Sequence, residues 1–214
     1  MCIRDSNLPE GTRAELIDGQ IYYMAPPTRK HQDIAGTLYR KIADYIDSNS
    51  GSCKTYIAPF AVFLNEDDKN YVEPDISVIC NPNKLNERGC VGAPDWIIEI
   101  VSPGSRKTDY FTKLFKYRTA GVREYWIVDP IKNLILVYNF DTSDSEQYTF
   151  ADTIKAGIYD DLYIDFSKMP EDCNSYDQYI GRIINRLKKD LIREYPDADY
   201  EEEDALWDLS LIHI

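Results

Sequence analysis

The chain has 214 residues, 43% of them hydrophobic, and a formal net charge of −13. This length and hydrophobic content predict one globular domain with an appendage, and they exclude a largely disordered protein. The negative charge argues against a general nucleic-acid binder, because affinity for phosphate backbones comes largely from Lys and Arg. The charge is uneven, however, since the segment from Arg106 to Arg118 holds five basic residues against Asp109 alone.

The two ends of the chain, MCIRDS and LSLIHI, do not look like parts of a packed domain. With one choice of codons, the reverse complement of the second contains the coding sequence of the first, as read-through of a sequencing adapter would produce. We therefore interpret residues 1–6 and 209–214 as adapter-derived ends. This interpretation leaves a main domain over residues 7–170 and a C-terminal helix with an acidic tail over residues 171–208.

Cysteine usage and hydropathy predict the cellular setting. Between the two ends the chain has one histidine, His31, and four cysteines without a CxxC pair, namely Cys53, Cys80, Cys90 and Cys173. Because this set forms neither a zinc framework nor an obvious disulfide series, we expect four packing thiols in a reducing cytoplasm. No apolar run approaches the about 20 residues of a spanning helix, so we expect no membrane partner.

The first part of the chain predicts a hairpin, a helix and strands. Glu15–Met24 indicates a β-hairpin that turns at Asp18-Gly19. Apolar residues recur at three- and four-residue steps from Arg29 to Asn49, which predicts an amphipathic helix. A β-rich stretch from Cys53 to Leu64 and one strand from Tyr71 to Ile79 follow.

The second part begins with a strand that is apolar except for one acid. This strand, Asp95–Val101, carries Glu99, and such runs are typical of a buried sheet with helices on its faces. A helix over Lys107–Ala120 and a pair of strands around the Asp129-Pro130 turn come next. We therefore predict an α/β fold of the α+β type, with a mixed sheet flanked by helices, an N-terminal β-hairpin and a C-terminal helical extension.

Three charged residues form the arrangement that chemistry would require. Glu99 lies in an apolar strand, where a carboxylate is costly unless it is paired or binds a cation. Asp75 on a neighbouring strand would let two carboxylates share Mg²⁺, and such an ion activates water for phosphodiester hydrolysis. Lys113 on the following helix could orient that water or offset charge on the phosphate.

These residues stand in an ordered series of four motifs. The series runs Pro74-Asp75, then IIEIVSP, then Asp109-x-x-x-Lys113-x-x-x-Tyr117, then GVREYWIVDP. In this order the motifs resemble the Uma-type restriction endonucleases, a branch of the PD-(D/E)XK nuclease superfamily. The resemblance covers roughly Ala14 to Met169 and implies a restriction-endonuclease-like core.

The resemblance also implies a function and a site. It implies Mg²⁺-dependent hydrolysis of DNA, with Mn²⁺ as a substitute, metal ligands at Asp75 and Glu99, and a catalytic lysine. The superfamily places that lysine two residues after the acid, where this chain has Val101, so the role passes to Lys113. Glu15 and His31 match the opening pattern of the family and are candidate pocket residues. A homodimer is a further expectation.

Each residue also has a simpler interpretation. Asp75 could be a turn residue at a strand end, Glu99 half of a structural salt bridge, and Lys113 a solvated helix lysine. Two other functions remain open. One is a catalytically inactive nuclease-fold module that binds nucleic acid or a protein partner, since fold does not guarantee chemistry. The other is hydrolysis of a different phosphate ester.

Overall fold

The computed structural model of the chain describes residues 13–65 and 69–169. Contacts divide the chain into two compact units, Met1–Pro170 and Glu171–Ile214. The predicted C-terminal helix, its acidic tail and both terminal hexapeptides lie outside the described residues. The strands and helices of the described residues all belong to the first unit.

The N-terminal hairpin is confirmed. Strand β1 (Ala14–Ile17) pairs antiparallel with β2 (Gln20–Tyr23). The two residues between the strands, Asp18 and Gly19, have φ angles of 52° and 77°. Positive φ at both central positions is what a tight two-residue hairpin turn requires, and Asp-Gly is among the sequences that adopt it most readily.

The predicted amphipathic helix is also confirmed, as α1 (Arg29–Ser48). It begins after Thr28, whose side chain accepts a hydrogen bond from the backbone N–H of His31. Such an N-cap satisfies one of the free N–H groups of the first turn. The buried side chains of α1 pack against a β-sheet. His31 lies in the first turn of this helix, next to the N-cap Thr28.

The predicted strand from Tyr71 to Ile79 is wrong as a single element. After β3 (Lys54–Ile57) and β4 (Val62–Phe63), the segment forms two strands, β5 (Tyr71–Val72) and β6 (Ile76–Ile79), which belong to different sheets. Pro74 lies between them, and it lacks the N–H that a continuous ladder would need. Asp75 therefore stands at the crossing from one sheet to the other.

The expectation of four packing cysteines is wrong for two of them. Cys53 and Cys80 form a disulfide across β3 and β6, while Cys90 is a buried free thiol and Cys173 lies outside the described residues. The register explains the pairing, because Lys54 lies opposite Ile79 and the cysteines are the next residues outward. A spacing of 27 residues gives no such indication in the sequence.

The remaining elements follow in chain order. They are β7 (Leu85–Asn86), β8 (Gly89–Val91), β9 (Trp96–Ile100), a π-helical turn (Thr108–Lys113) that runs into α2 (Leu114–Ala120), β10 (Glu124–Asp129), β11 (Leu134–Asn139), β12 (Asp144–Tyr148), β13 (Thr153–Lys155) and β14 (Tyr163–Asp165). The predicted helix over Lys107–Ala120 is thus partly π-helical. Asp129 has its predicted turn role, since its carboxylate accepts from the N–H groups of Ile131 and Lys132.

The strands form two six-stranded sheets and one small pair within the described residues. The first sheet has the order β2-β1-β5-β4-β8-β7, and the second has the order β12-β11-β10-β9-β6-β3. Both are mixed, with parallel pairs β4–β8 and β9–β10. The predicted mixed-sheet fold is confirmed, and the structure adds a second sheet. In the part of the chain that the structure describes, no helix has the length and hydrophobicity of a membrane span.

Two hydrophobic clusters cover the two faces of the second sheet. One packs α1 against Trp96, Ile98 and Trp126, and the other fills the space between the sheets with residues such as Ile97 and Tyr117. Successive strand residues face opposite sides. Glu99 therefore points away from α1, toward the side of the sheet that also packs Tyr117.

Candidate active site

A cleft of about 400 Å³ opens in the first unit and is lined by all five residues predicted from the sequence. They come from five separate places in the chain: β1, α1, the residue before β6, β9, and the π-helical turn. In the same order, these residues are Glu15, His31, Asp75, Glu99 and Lys113. The fold brings them to one site.

Glu99 lies on the floor of this cleft and is only 4% exposed. Its Oε1 accepts hydrogen bonds from the Lys113 ammonium at 2.9 Å and from the Tyr117 hydroxyl at 2.6 Å. In the described part of the chain, the hydrogen bonds of Glu99 all fall on Oε1. Burial raises the pKa of Glu99 well above its ordinary value, and the neighbouring charge of Lys113 opposes that rise only in part.

Lys113 is held among three carboxylates. Its Nζ lies 2.9 Å from Glu15 Oε2, 2.9 Å from Glu99 Oε1 and 3.6 Å from Asp109 Oδ1. Burial alone would lower the pKa of Lys113, but the charges of Glu15 and Glu99 raise it well above its ordinary value. The amine is therefore a fixed cation and not a base, which suits a role in offsetting negative charge.

The π-helical turn orients this lysine. Asp109, Lys113 and Tyr117 recur at four-residue steps and are all buried, while Phe111 between them is exposed. A π-turn is wider than an α-turn, and such turns occur often at functional sites. Here the wider turn allows Asp109, Lys113 and Tyr117, which are four residues apart, to face the sheet together.

Asp75 is tied to the backbone next to Glu99. Its Oδ2 accepts a hydrogen bond from the N–H of Ile100 at 2.7 Å and lies 3.1 Å from Nε2 of His31. Burial lowers the pKa of His31, but the hydrogen bond and charge of Asp75 outweigh it, so that the net pKa is raised. The contact with the Asp75 carboxylate thus extends to higher pH the range in which His31 is protonated.

Glu15 on β1 contacts both Lys113 and the segment that precedes Asp75. Its Oε1 accepts from the backbone N–H of Glu73 at 3.0 Å, and its Oε2 faces Lys113. Because Glu73 is two residues before Asp75, the Glu15 carboxylate fixes both the backbone that leads to Asp75 and the ammonium of Lys113. The contacts of Glu15 are thus those of a residue that positions Asp75 and Lys113.

Sequence reasoning did not assign roles to Asp109 and Tyr117. Asp109 is 1% exposed, and its Oδ1 has no hydrogen-bond partner among the described residues. Burial raises the pKa of Asp109 to about 6. Their four-residue spacing around Lys113 stands in the sequence motif and places three polar side chains on one helix face, but it does not indicate what each side chain contacts.

The donor set suits a hard divalent cation. Among the described residues, no three His, Cys, Asp or Glu side chains are grouped as ligands of one ion. Mg²⁺ usually binds through one or two carboxylates and keeps several waters, so two carboxylates suffice. The contacts of Asp75 and Glu99 in the described part fall on Oδ2 and Oε1, which leaves one oxygen of each for such an ion.

Comparison with known proteins supplies the family. The family profile Uma2, described as "Putative restriction endonuclease", matches residues 3–157. An uncharacterized protein of Synechocystis sp. is 27% identical over 126 residues, which is 58% of this chain and 65% of that protein. The alignment thus spans just under two thirds of the relative.

A solved structure gives an independent comparison of the fold. A "putative nuclease belonging to DUF820" from Anabaena variabilis matches with a TM-score of 0.57 and 22% sequence identity. The match covers 68% of this chain and 82% of that one, and at this identity it concerns the fold alone. The family profile covers more than half of the chain, and the fold agrees with it. The protein therefore belongs to the Uma2 family of restriction-endonuclease-like proteins.

Proposed function

We propose that the protein is a metal-dependent endonuclease that hydrolyses phosphodiester bonds in DNA. The observation that carries this proposal is the convergence of Asp75, Glu99 and Lys113 in one cleft from three separate elements. Family membership supports nuclease chemistry, and the geometry supplies the groups that such chemistry needs. The proposed metal is Mg²⁺, with Mn²⁺ as a substitute, because carboxylate and water ligands suit both ions.

Asp75 and Glu99 would hold the ion with their remaining oxygens. When bound, the ion would polarise the phosphate and lower the pKa of a bound water. The protein's own contribution is to fix these carboxylates before the ion arrives. The N–H of Ile100 and the ring of His31 hold Asp75, while Lys113 and Tyr117 hold Glu99.

Lys113 would stabilise the negative charge that develops on the phosphate. Its ammonium is permanently charged and is held by Glu15 and Glu99, so it need not reorganise during the reaction. A lysine so placed cannot take the proton of the attacking water. Its proposed role is therefore electrostatic.

A second function is favoured by the overall charge. A net charge of −13 weakens attraction to DNA, which counts against an enzyme that acts on DNA and favours a catalytically inactive module. Such a module would bind a protein partner, or nucleic acid through the basic segment from Arg106 to Arg118. The same cleft would then serve binding without cleavage.

Plasmid nicking distinguishes the two functions. Purified protein is incubated with supercoiled plasmid and Mg²⁺ or Mn²⁺, with EDTA as the metal-free arm. Glu99→Gln and Lys113→Ala remove the proposed ligand and cation. Glu146→Gln and Lys155→Ala are the matched controls, because both side chains are exposed and lie on β12 and β13, away from the cleft.

Metal-dependent nicking by the parent and both controls, with loss in both cleft variants, supports the enzyme. Equal nicking by all variants points to a contaminating nuclease and removes the case for this site. DNA binding without nicking under any metal supports the inactive module.

A further inference from the structure

The outer face of the helix that carries Lys113 has an unusual composition. Lys107, Phe111, Phe115 and Arg118 are all exposed, and their spacing places them along one side of the helix. We call this surface the phenylalanine stripe. Phe111 and Phe115 are 71% and 63% exposed, among the highest values for large hydrophobic residues in the described part of the chain. Exposed apolar groups in this arrangement indicate a binding surface.

The stripe is positively charged in an acidic protein. The one acid between Arg106 and Arg118 is Asp109, which is buried and faces the cleft. Lys116 lies beside the stripe, with its ammonium 5.9 Å from the Phe115 ring and in an ion pair with Asp18. The exposed face thus offers cations and aromatic rings, and the exposed acid beside it, Asp18, is paired with Lys116. Such a face is complementary to a polyanion with aromatic bases.

We propose that the phenylalanine stripe binds an unpaired stretch of the nucleic-acid strand on which the cleft acts. This inference rests on the proposed function and extends it to the form of the substrate. Phe111 and Phe115 would stack on bases, while Lys107 and Arg118 would contact phosphates. Aromatic side chains stack on any unpaired base, whereas bases inside a duplex already stack on one another.

The position of the stripe fits the same strand. Lys113 lies on the inner side of the helix, within the cleft, and the stripe lies on the outer side. The two sides are separated by one helix diameter, about 10 Å. A flexible strand can pass from the cleft around the helix to the stripe, which a stiff duplex cannot do over so short a path.

A second copy of the chain fits the stripe less well. In a two-fold contact the same patch faces itself, so helices that pair antiparallel would bring Lys107 opposite Arg118 of the other copy. Asp18, the exposed acid beside this face, already pairs with Lys116 and so does not offset that repulsion. Any homodimer should therefore use another surface.

The test measures binding without cleavage. Fluorescence anisotropy in EDTA compares a labelled oligothymidylate with a labelled duplex of the same length. One variant combines Phe111→Leu with Phe115→Leu, which keeps an apolar surface and good helix formers but removes the rings. A second combines Lys107→Gln with Arg118→Gln. The control combines Tyr163→Ala with Lys155→Gln, an exposed aromatic–lysine pair that lies in register on β13 and β14.

We expect the parent to bind the single strand more tightly than the duplex. The leucine variant should bind it about tenfold or more weakly, since base stacking contributes about 1–3 kcal/mol per base. The glutamine variant should lower the slope of log affinity against log salt by about 0.7 for each phosphate that is no longer neutralised. The control pair should bind like the parent.

Three results would overturn the inference. These are parental affinity in the leucine variant, tighter binding of the duplex than of the strand, and light scattering that shows a dimer in the parent and a monomer in the leucine variant. Plasmid nicking separates the two proposals. A parent that nicks plasmid while the leucine variant binds normally refutes the stripe alone, whereas a parent that neither nicks nor binds refutes both.

Discussion

Two buried glutamates on adjacent parallel strands have different partners. Glu99 on β9 and Glu124 on β10 are both buried, and burial raises the pKa of each. Glu124 accepts from the Trp126 indole at 2.6 Å and from the backbone N–H groups of Gly157 and Ile158 at 2.9 and 2.8 Å, using both oxygens. Glu99 uses Oε1 alone in the described part of the chain.

The difference separates a structural acid from a candidate catalytic one. Both oxygens of Glu124 are occupied by N–H donors, so this side chain fastens the segment at Gly157 to the sheet. Glu99 keeps one oxygen toward a cleft and has an ammonium group beside it. A buried acid is costly in either place, and what it does is decided by whether its acceptor capacity is filled.

The largest expected effect is on nicking by Glu99→Gln, compared with Glu124→Gln. We expect the first variant to lose about a hundredfold or more in rate, because a ligand of the ion is lost. The second should nick like the parent, since Glu124 is held by Trp126 and backbone groups away from the cleft. Equal loss in both variants would mean that the comparison reports folding and not chemistry.

The next effect concerns pH and the acid beside Lys113. Burial raises the pKa of Asp109 from 3.8 to about 6, so the folded state favours its neutral form. The stability that this preference gives is present below the unfolded pKa and is lost as pH rises through about 6. In EDTA, the stability of the parent should therefore fall relative to that of Asp109→Asn between about pH 4 and pH 7, by up to about 3 kcal/mol.

Thermal melts across that pH range measure this prediction. Asp165→Asn is the control of opposite sign, because the hydrogen bonds of Lys168 and Ser167 lower the pKa of Asp165 to about 2. The contribution of Asp165 to the free energy of unfolding is therefore present at neutral pH and is lost as pH falls. If the free energies of unfolding of the Asp109 variant and the parent changed with pH in parallel, the pKa of Asp109 would not be raised by burial.

A smaller effect is expected on stability from Glu124→Gln. The amide group of glutamine must face one of the N–H groups that the carboxylate accepted, so one buried donor loses its acceptor. Urea unfolding should show a loss of about 2 kcal/mol. Glu146→Gln on the exposed strand β12 is the control and should unfold like the parent. A neutral result for Glu124→Gln would show that the Gly157 segment can shift to relieve the contact.

Local patterns in the sequence predicted much of the fold. Asp18-Gly19 specified the hairpin turn, and the apolar spacing of α1 specified its buried face. The acid in the apolar strand β9 marked Glu99, and motif order led to Lys113. The structure confirms the turn and the helix and brings Glu99 and Lys113 into one cleft, while the catalytic roles of these two residues stay predictions. Each of these patterns depends on neighbours in the chain or on the strong cost of burying a charge.

The remaining features depend on distant partners. Glu124 looks like Glu99 in the sequence, and only the return of Gly157 some thirty residues later distinguishes them. The Cys53–Cys80 disulfide follows from strand register. The strands on either side of Pro74 belong to different sheets, and this division depends on pairing with distant strands, which local periodicity does not indicate.

The smallest expected effect is that of Tyr117→Phe on metal requirement. Among the described residues, Tyr117 and Lys113 are the two donors to Glu99 Oε1, so loss of the Tyr117 hydroxyl leaves the Lys113 ammonium. Glu99 should then be held less firmly, so that the Mg²⁺ concentration for half-maximal nicking rises about fivefold, equivalent to about 1 kcal/mol. Tyr125→Phe is a closely matched control. Tyr125 is also fully buried, and its ring centroid lies 4.9 Å from that of Tyr117. Its hydroxyl donates a hydrogen bond to the backbone carbonyl of Asp109.

Both substitutions remove one buried hydrogen bond and should lower the free energy of unfolding by a similar amount, about 1 kcal/mol. Only Tyr117→Phe should change the metal requirement, because only Tyr117 contacts the proposed ligand. A shift of the same size in both variants would assign the effect to general loosening of the site. A shift in Tyr117→Phe alone would support the assignment of Glu99 Oε1 to the protein and of its other oxygen to the ion.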